Sequence, residues 1–155
     1  MRERMSPVDA VGGALSWLTI IPVSRRDDTF DRRFGGAAIS AVPVVGLLLG
    51  LLVAVIAWGL SLTHLTATLI GILLVVVLGI GTRGMHLDGL ADTADGLGCY
   101  GSPDKVAEVM HSGSTGPFGA ATIAVVMIVD TAGFAALSDQ SRWSAIAAAI
   151  VLGRV

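Results

Sequence analysis

The sequence predicts an all-α, polytopic membrane helical bundle that forms a single domain over residues 1–155. Three observations carry this prediction. Of the 155 residues 54% are hydrophobic and only 14% charged, whereas a soluble domain is about 25% charged. The mean hydropathy is +0.79. The apolar residues also fall in long blocks with almost no polar interruption, the pattern needed to cross about 30 Å of hydrocarbon. The net charge of −2 says little, because the charges are segregated along the chain. Basic residues are few and sit mostly at the edges of apolar blocks, which argues against a nucleic-acid partner. The single cysteine, Cys99, allows no intrachain disulfide.

The N-terminal segment, residues 1–34, is basic, with Arg2, Arg4, Arg25, Arg26, Arg32 and Arg33. Within it Val8 to Val23 is apolar but interrupted by Asp9, two glycines and Pro22. It is short for a span and reads as an interfacial or re-entrant segment. A secretory signal peptide is the competing reading; Arg25 and Arg26 and the lack of a small-residue cleavage site weigh against it. The first span covers about 36–62 and is charge-free from Ala37 to Leu60. It contains Pro43, tolerable where neighbouring helices repair the backbone, and a Gly46/Gly50 pair whose spacing also arises by chance. His64 lies in the connector and reads as interfacial. The second span covers about 66–82 and ends at Arg83. A loop over 83–115 follows, in which Ser102 and Pro103 suit the start of a short helix, Lys105 to Met110. The third span, about 116–137, carries Asp130. A fourth, 143–155, opens at Trp143, a reasonable interfacial anchor, and is incomplete.

Two spans separate the N-terminal segment from the loop, so both lie on one side. Together they hold eight of the ten Lys and Arg residues. The basic side faces the cytoplasm, which places a multi-pass protein in the cell membrane with its N-terminus and its loop inside.

The loop holds the functional signal. Gly84 to Gly98 reads GMHLDGLADTADGLG, three carboxylates and a histidine in a chain short of charge. Asp88, Asp92 and Asp95 are spaced i, i+4, i+7, so a helix turning about 100° per residue places them within roughly 60° of one another. Three such carboxylates repel one another, and a membrane boundary screens that repulsion poorly. A divalent cation relieves it. Hard oxygen ligands suit Mg²⁺ or Mn²⁺, with water and phosphate completing the shell. His86 falls about 200° from Asp88 and reads as a base, a phosphate contact or a packing residue. Gly89 and Gly96 let a bulky substrate approach the backbone. Thr115 and Gly116 open the third span, where free N–H groups suit phosphate. The bland alternative is a solvated acidic loop. Clustered ionisable groups at membrane level are usually functional. Asp130, inside a span, is expected to face the bundle and to be protonated or paired, with Arg154 as one possible partner.

The segment TRGMHLDGLADTADGLGCYG, Thr82 to Gly101, resembles the signature of the cobalamin synthase family, the adenosylcobinamide-GDP ribazoletransferases of bacterial and archaeal membranes. Other stretches agree: SWLTIIPV (Ser16 to Val23), AVPVVGLLLG (Ala41 to Gly50), GSTGPFGA (Gly113 to Ala120) and LGRV (Leu152 to Val155). The resemblance implies condensation of adenosylcobinamide-GDP with α-ribazole or its 5′-phosphate, release of GMP, and a need for Mg²⁺. It implies that Asp88, Asp92 and Asp95 hold the metal and the diphosphate, that Arg83 contacts phosphate or anchors the membrane edge, and that an Asp or His86 takes the hydroxyl proton. Two departures stand out. The family places a basic residue and an Asp after the Met of the short helix, where this chain has His111 and Ser112. The family also continues through further spans, so the resemblance implies a truncated sequence. The competing enzyme reading is a CDP-alcohol phosphotransferase, but its motif wants an Ala-Arg pair where Ala91 is followed by Asp92. A divalent-cation transporter would want acidic groups lining several spans, and only Asp130 lies in one. The oligomeric state is open, a homo-oligomer included.

Overall fold

The computed structural model describes residues 6–23 and 32–154. Arg2, Arg4, Arg25 and Arg26, on which the orientation rests, lie outside these residues, as does Val155. Among the described residues there are seven α-helices and no strand, as expected of a chain that must satisfy its backbone within each segment in lipid. They are α1 (Pro7–Leu18), α2 (Arg32–Ser61), α3 (Ala67–Gly81), α4 (Met85–Gly98), α5 (Pro103–Met110), α6 (Pro117–Asp139) and α7 (Trp143–Leu152).

The 12 residues of α1 extend about 18 Å, too short to cross. Ser6 caps it by accepting from the Asp9 amide at 3.1 Å, with Pro7 in the first turn. Thr19 ends it, donating through Oγ1 to the Leu15 carbonyl at 2.6 Å. The helix packs on α2 with Ala14 fully buried. The N-terminal segment therefore lies against the bundle. It also reaches the far end of α3, where the Ile20 amide donates to the Gly81 carbonyl at 2.9 Å. The end of α1 and the start of the acidic motif are thus on the same side of the bundle.

The spans pack through small residues. In lipid an apolar side chain gains little by leaving the bilayer for a protein neighbour, so association rests on close van der Waals fit. Ala38, Ala41, Val45, Leu49, Val53 and Ala57 form one buried stripe along α2 at helical spacing. Gly46 and Gly50 are buried beside it against α7; a Cβ on Gly50 would stand 2.7 Å from the Ala147 carbonyl oxygen. The Gly46/Gly50 spacing therefore marks a helix contact. Gly71 of α3 meets α6 in the same way, at the Thr131 carbonyl and the Ala135 backbone. Pro43 remains inside α2 on its exposed side.

By length and composition α2 and α6 are each able to cross a membrane. The expected second span is shorter than the sequence suggested. The 15 residues of α3 extend about 22 Å, against about 30 Å of hydrocarbon. Together α3 and α4 meet the length, but they bend by 90° at their junction. The motif helix runs across the end of the bundle rather than along it. The 10 residues of α7 form a short apolar helix that starts at Trp143, where the fourth apolar run opens. One expectation is overturned: Asp130 is exposed on α6 instead of facing the bundle, and Arg154 is not its partner. Arg154 follows α7, which packs on α2. Its side-chain Cβ and Cδ sit against Gly46, and its Nη1 donates to the Ile150 carbonyl at 3.1 Å.

These contacts predict a sharp contrast. Gly71→Val forces side-chain carbons onto α6 backbone and lowers the stability of the detergent-solubilised chain by about 1–3 kcal/mol. Gly59, with no atom within 4 Å of a built Cβ, tolerates Ala with stability unchanged or slightly raised. Thermal unfolding of the two variants side by side checks both.

Candidate functional site

The acidic motif begins with a tight backbone turn. At the end of α3 the Gly84 amide donates to the Gly79 carbonyl at 2.8 Å, and the Arg83 amide to the Ile80 carbonyl at 3.0 Å. This paired closure is a Schellman motif. It puts Arg83 at φ 55° and Gly84 at φ 67°, both left-handed. Glycine takes that conformation freely, whereas an L-residue is strained in it by about 1–2 kcal/mol. These two residues produce the sharp bend into α4. The Arg83 guanidinium reaches the Ser16 carbonyl at 3.4 Å, a long contact that leaves most of its donors available.

Helix α4 forms as the i, i+4, i+7 spacing predicts, but its three carboxylates stand in different surroundings. Asp88 is in the first turn and exposed; Asp92 is half-buried one turn on. Among the described residues neither has a hydrogen-bond or ion-pair partner. Asp95 is buried, 8% exposed. Its Oδ2 accepts from the Gly116 amide at 2.7 Å and its Oδ1 from the Gly119 amide at 2.9 Å. Asp95 thereby caps the N-terminus of α6, whose own N-cap residue, Gly116, has no side chain to do so.

This arrangement bears on several expected roles. Among the described residues no three His, Cys, Asp or Glu side chains form a group able to hold a metal. The three-carboxylate set is not assembled, because Asp95 is turned onto α6. Asp88 and Asp92 remain as a pair, and Mg²⁺ is commonly held by one or two carboxylates plus phosphate and water. Of the two residues expected to offer amides to phosphate at the start of α6, Thr115 and Gly116, the amide of Gly116 is occupied. Gly116 and Gly119 donate to Asp95, Pro117 has no N–H, and Thr115 is exposed and outside this contact. Gly96 serves packing: it is buried, and a Cβ there would lie 2.8 Å from Met110 Cγ. Gly89 keeps an open face, with nothing within 4 Å of a built Cβ, so the backbone beside Asp88 is accessible to a large ligand.

His86 stands at the start of α4, away from the Asp95 contact. Partial burial, and after it the positive charge of Arg154, holds its imidazole pKa below the ordinary value. Arg154 is a neighbour that sequence reading did not supply, because it lies 68 positions further along the chain.

Short helix α5 forms where expected. Pro103 is in its first turn and Ser102 accepts from the Lys105 amide at 3.4 Å. His111 and Ser112 close its end. The His111 Nδ1 lies 2.6 Å from the Ala107 carbonyl, a contact that needs the proton on Nδ1, and Ser112 Oγ donates to the Val109 carbonyl at 2.9 Å. A cavity of about 300 Å³ opens between α5, the end of α4 and the start of α6, lined among others by Asp95, Cys99, Lys105, Glu108 and Ser114. Asp88 and Asp92 do not line it. Lys105 and Glu108 pair on its rim at 3.0 Å, both exposed, a contact of small energy.

A short helix carrying unpartnered carboxylates, set across the end of a membrane bundle, defines a membrane protein with an acidic site at one face. The family model for cobalamin-5-phosphate synthase (CobS) matches residues 10–155. The chain is 36% identical over 146 residues to an adenosylcobinamide-GDP ribazoletransferase of Corynebacterium glutamicum, covering 92% of this chain and 47% of that protein. It is 37% identical over 136 residues to one of Corynebacterium efficiens, covering 87% and 49%. It is 34% identical over 154 residues to one of Roseiflexus, covering 99% and 56%. No solved structure matches. The chain belongs to the cobalamin-5-phosphate synthase family, and it spans about half the length of these curated relatives.

Two predictions follow from this geometry. Arg83→Gly removes left-handed strain, offset in part by glycine's greater freedom in the unfolded chain, so stability changes by about 0 to +1 kcal/mol. Its thermal unfolding checks this: a clear loss of stability would mean that the Arg83 side chain outweighs the strain. The His86 imidazole titrates below the ordinary histidine value, and Arg154→Gln raises its pKa only partway, because burial is the larger cause. Nitrogen-15 NMR of the labelled histidine across pH 4–8 reads both effects.

Proposed function

We propose that the chain carries the diphosphate-handling site of an adenosylcobinamide-GDP ribazoletransferase, on the cytoplasmic side of the cell membrane. The observation that supports this reading is α4. Asp88 and Asp92 project one turn apart without protein partners, beside the open backbone of Gly89, in a family whose relatives are named for a GDP-linked substrate. A hydroxyl of α-ribazole or its 5′-phosphate attacks the phosphorus that bears the cobinamide arm. A new P–O bond forms there. The bond to the oxygen bridging the two phosphorus atoms breaks, its electron pair leaves with GMP, and the hydroxyl proton passes to a base. The product is adenosylcobalamin or its 5′-phosphate.

Mg²⁺ held by Asp88 and Asp92 would supply charge stabilisation on the departing phosphate. The chain's own residues orient and bind. Gly89 admits the substrate to the carboxylate face. Arg83, at the bend before α4, offers guanidinium donors to a phosphate oxygen, a geometry arginine serves well. His86 is held neutral near neutral pH, the state a proton acceptor needs. It stands about 200° round the helix from Asp88, so we assign the proton to the carboxylate face.

The test is GMP release in membranes containing the chain, with adenosylcobinamide-GDP, α-ribazole 5′-phosphate and Mg²⁺. Release that stops with EDTA and falls about 100-fold or more in Asp92→Asn, the scale of losing a principal electrostatic contact in a transition state, is the expected outcome. Release at the same rate with EDTA or in the variant would overturn the proposal.

A further inference from the structure

We infer that Asp95 is a positioning residue: its carboxylate closes the open N-terminus of α6 and so holds α4 across that helix end. The first helical turn of α6 presents N–H groups with no intrahelical partner. Gly116 brings no side chain, and Pro117 has no N–H to satisfy. Asp95 reaches them from another helix, one oxygen to each of Gly116 and Gly119. The fit is close. A Cβ on Gly116 would stand 2.5 Å from Asp95 Oδ1, and one on Gly119 would collide with Asp95 Oδ2 and stand 2.9 Å from the Ala91 carbonyl. Glycine at both positions is what lets α4 come down onto the start of α6.

The electrostatics point the same way. The N-terminal end of a helix carries partial positive charge. A carboxylate belongs there, and a divalent cation sharing its oxygens would face the same positive end. The same carboxylate is thus suited to the amides and poorly placed to be a third metal ligand. One and two turns back along α4, Asp92 and Asp88 project with no such partners among the described residues. The inference takes from the proposed function only that Asp88 and Asp92 form the cation face. Asp95 fixes where that face stands relative to α6.

A rescue experiment separates capping from metal binding. The three heavy atoms nearest a Cβ at Gly116 all belong to the Asp95 side chain. Gly116→Ser therefore clashes in the native chain but has room when Asp95 is Ala, and it then supplies a local N-cap of a favoured type. The full chain in lipid nanodiscs is followed by amide hydrogen exchange at residues 116 and 119 and by Mn²⁺ titration monitored through EPR. We expect Asp95→Ala to speed exchange at both residues by about tenfold or more, as loss of a cap would, Gly116→Ser alone to speed it as well, and the double variant to recover most of the protection at residue 119, the N3 amide that a serine cap reaches. We expect Asp92→Asn to weaken Mn²⁺ binding by about tenfold or more, the effect of losing one of few ligands, with exchange unchanged. Serine restores the cap of α6 but not the tether on α4, so any loss of Mn²⁺ affinity in Asp95→Ala should persist in the double variant and remain smaller than that of Asp92→Asn. Unchanged exchange in Asp95→Ala would overturn the inference. A loss of Mn²⁺ affinity in Asp95→Ala as large as that of Asp92→Asn would overturn it too, because a positioning residue is not itself a ligand. If the native chain binds no Mn²⁺, the cation reading fails, and the exchange and rescue arms still decide the role of Asp95.

Discussion

The arrangement of the site depends on one contact, the Asp95 carboxylate on the amides of Gly116 and Gly119. It joins helices that are 21 and 24 residues apart in sequence. Few other interactions tie the transverse helix down. Gly96 packs under Met110, Gly98 lies against the Phe118 ring, and Ala91 is buried on the same side. These are van der Waals contacts on one flank of α4. The carboxylate adds direction, because two N–H donors at fixed positions leave it a single orientation. Charge-assisted hydrogen bonds of this kind are roughly twice as strong as neutral ones, and burial removes the water that would compete for them. Tethered near its C-terminal end, α4 can leave its N-terminal half open, and that half carries Asp88, Gly89 and half-buried Asp92.

The other end of α4 is fixed by backbone geometry. Two successive left-handed residues, Arg83 and Gly84, turn the chain through 90° as α3 ends. The bond from Ile20 to Gly81 ties the N-terminal segment to the same place. The acidic helix is therefore held at both ends by different means, a strained turn at the start and a buried carboxylate near the finish. A continuous helix would carry the aspartates along the bundle axis. The bend sets them across its end.

Much of this was legible in the sequence, and what was not has physical reasons. Hydropathy located α2, α3, α6 and α7 because a chain in lipid must bury its backbone polarity in helices. The aspartate spacing, and Ser102 with Pro103, identified α4 and α5 because helix periodicity and capping are local. Four features escaped. The partner of Asp95 depends on tertiary approach; the one available signal was that Gly116-Pro117 opens a span without a capping side chain of its own. The packing of Gly96 under Met110 is equally non-local, so a glycine that seemed to admit substrate instead admits another helix. The Gly46/Gly50 pair could not be told from chance spacing until α7 was seen lying on it. The short length of α3 was hidden because the apolar run leads directly into the motif, and only the bend at Arg83 and Gly84 divides them.

The three aspartates show how one helical face can serve two purposes. Equal spacing suggests equal roles, but a helix lying across a bundle has neighbours only along part of its length. Position along α4 sets what each carboxylate can do. Asp95, over the end of α6, meets amides and is withdrawn from water. Asp92 and Asp88, progressively farther from that contact, have no described protein group to neutralise them. Two like charges one turn apart carry an unfavourable interaction, and nothing in the described packing offsets it. The fold uses one carboxylate in a buried cap and leaves two without a described partner beside an open glycine, where positive charge would relieve their repulsion. The proposed reading supplies that charge with a cation that brings a phosphate with it. The division of surroundings therefore follows from the bend that sets α4 across the bundle end, and the proposed chemistry rests on that division.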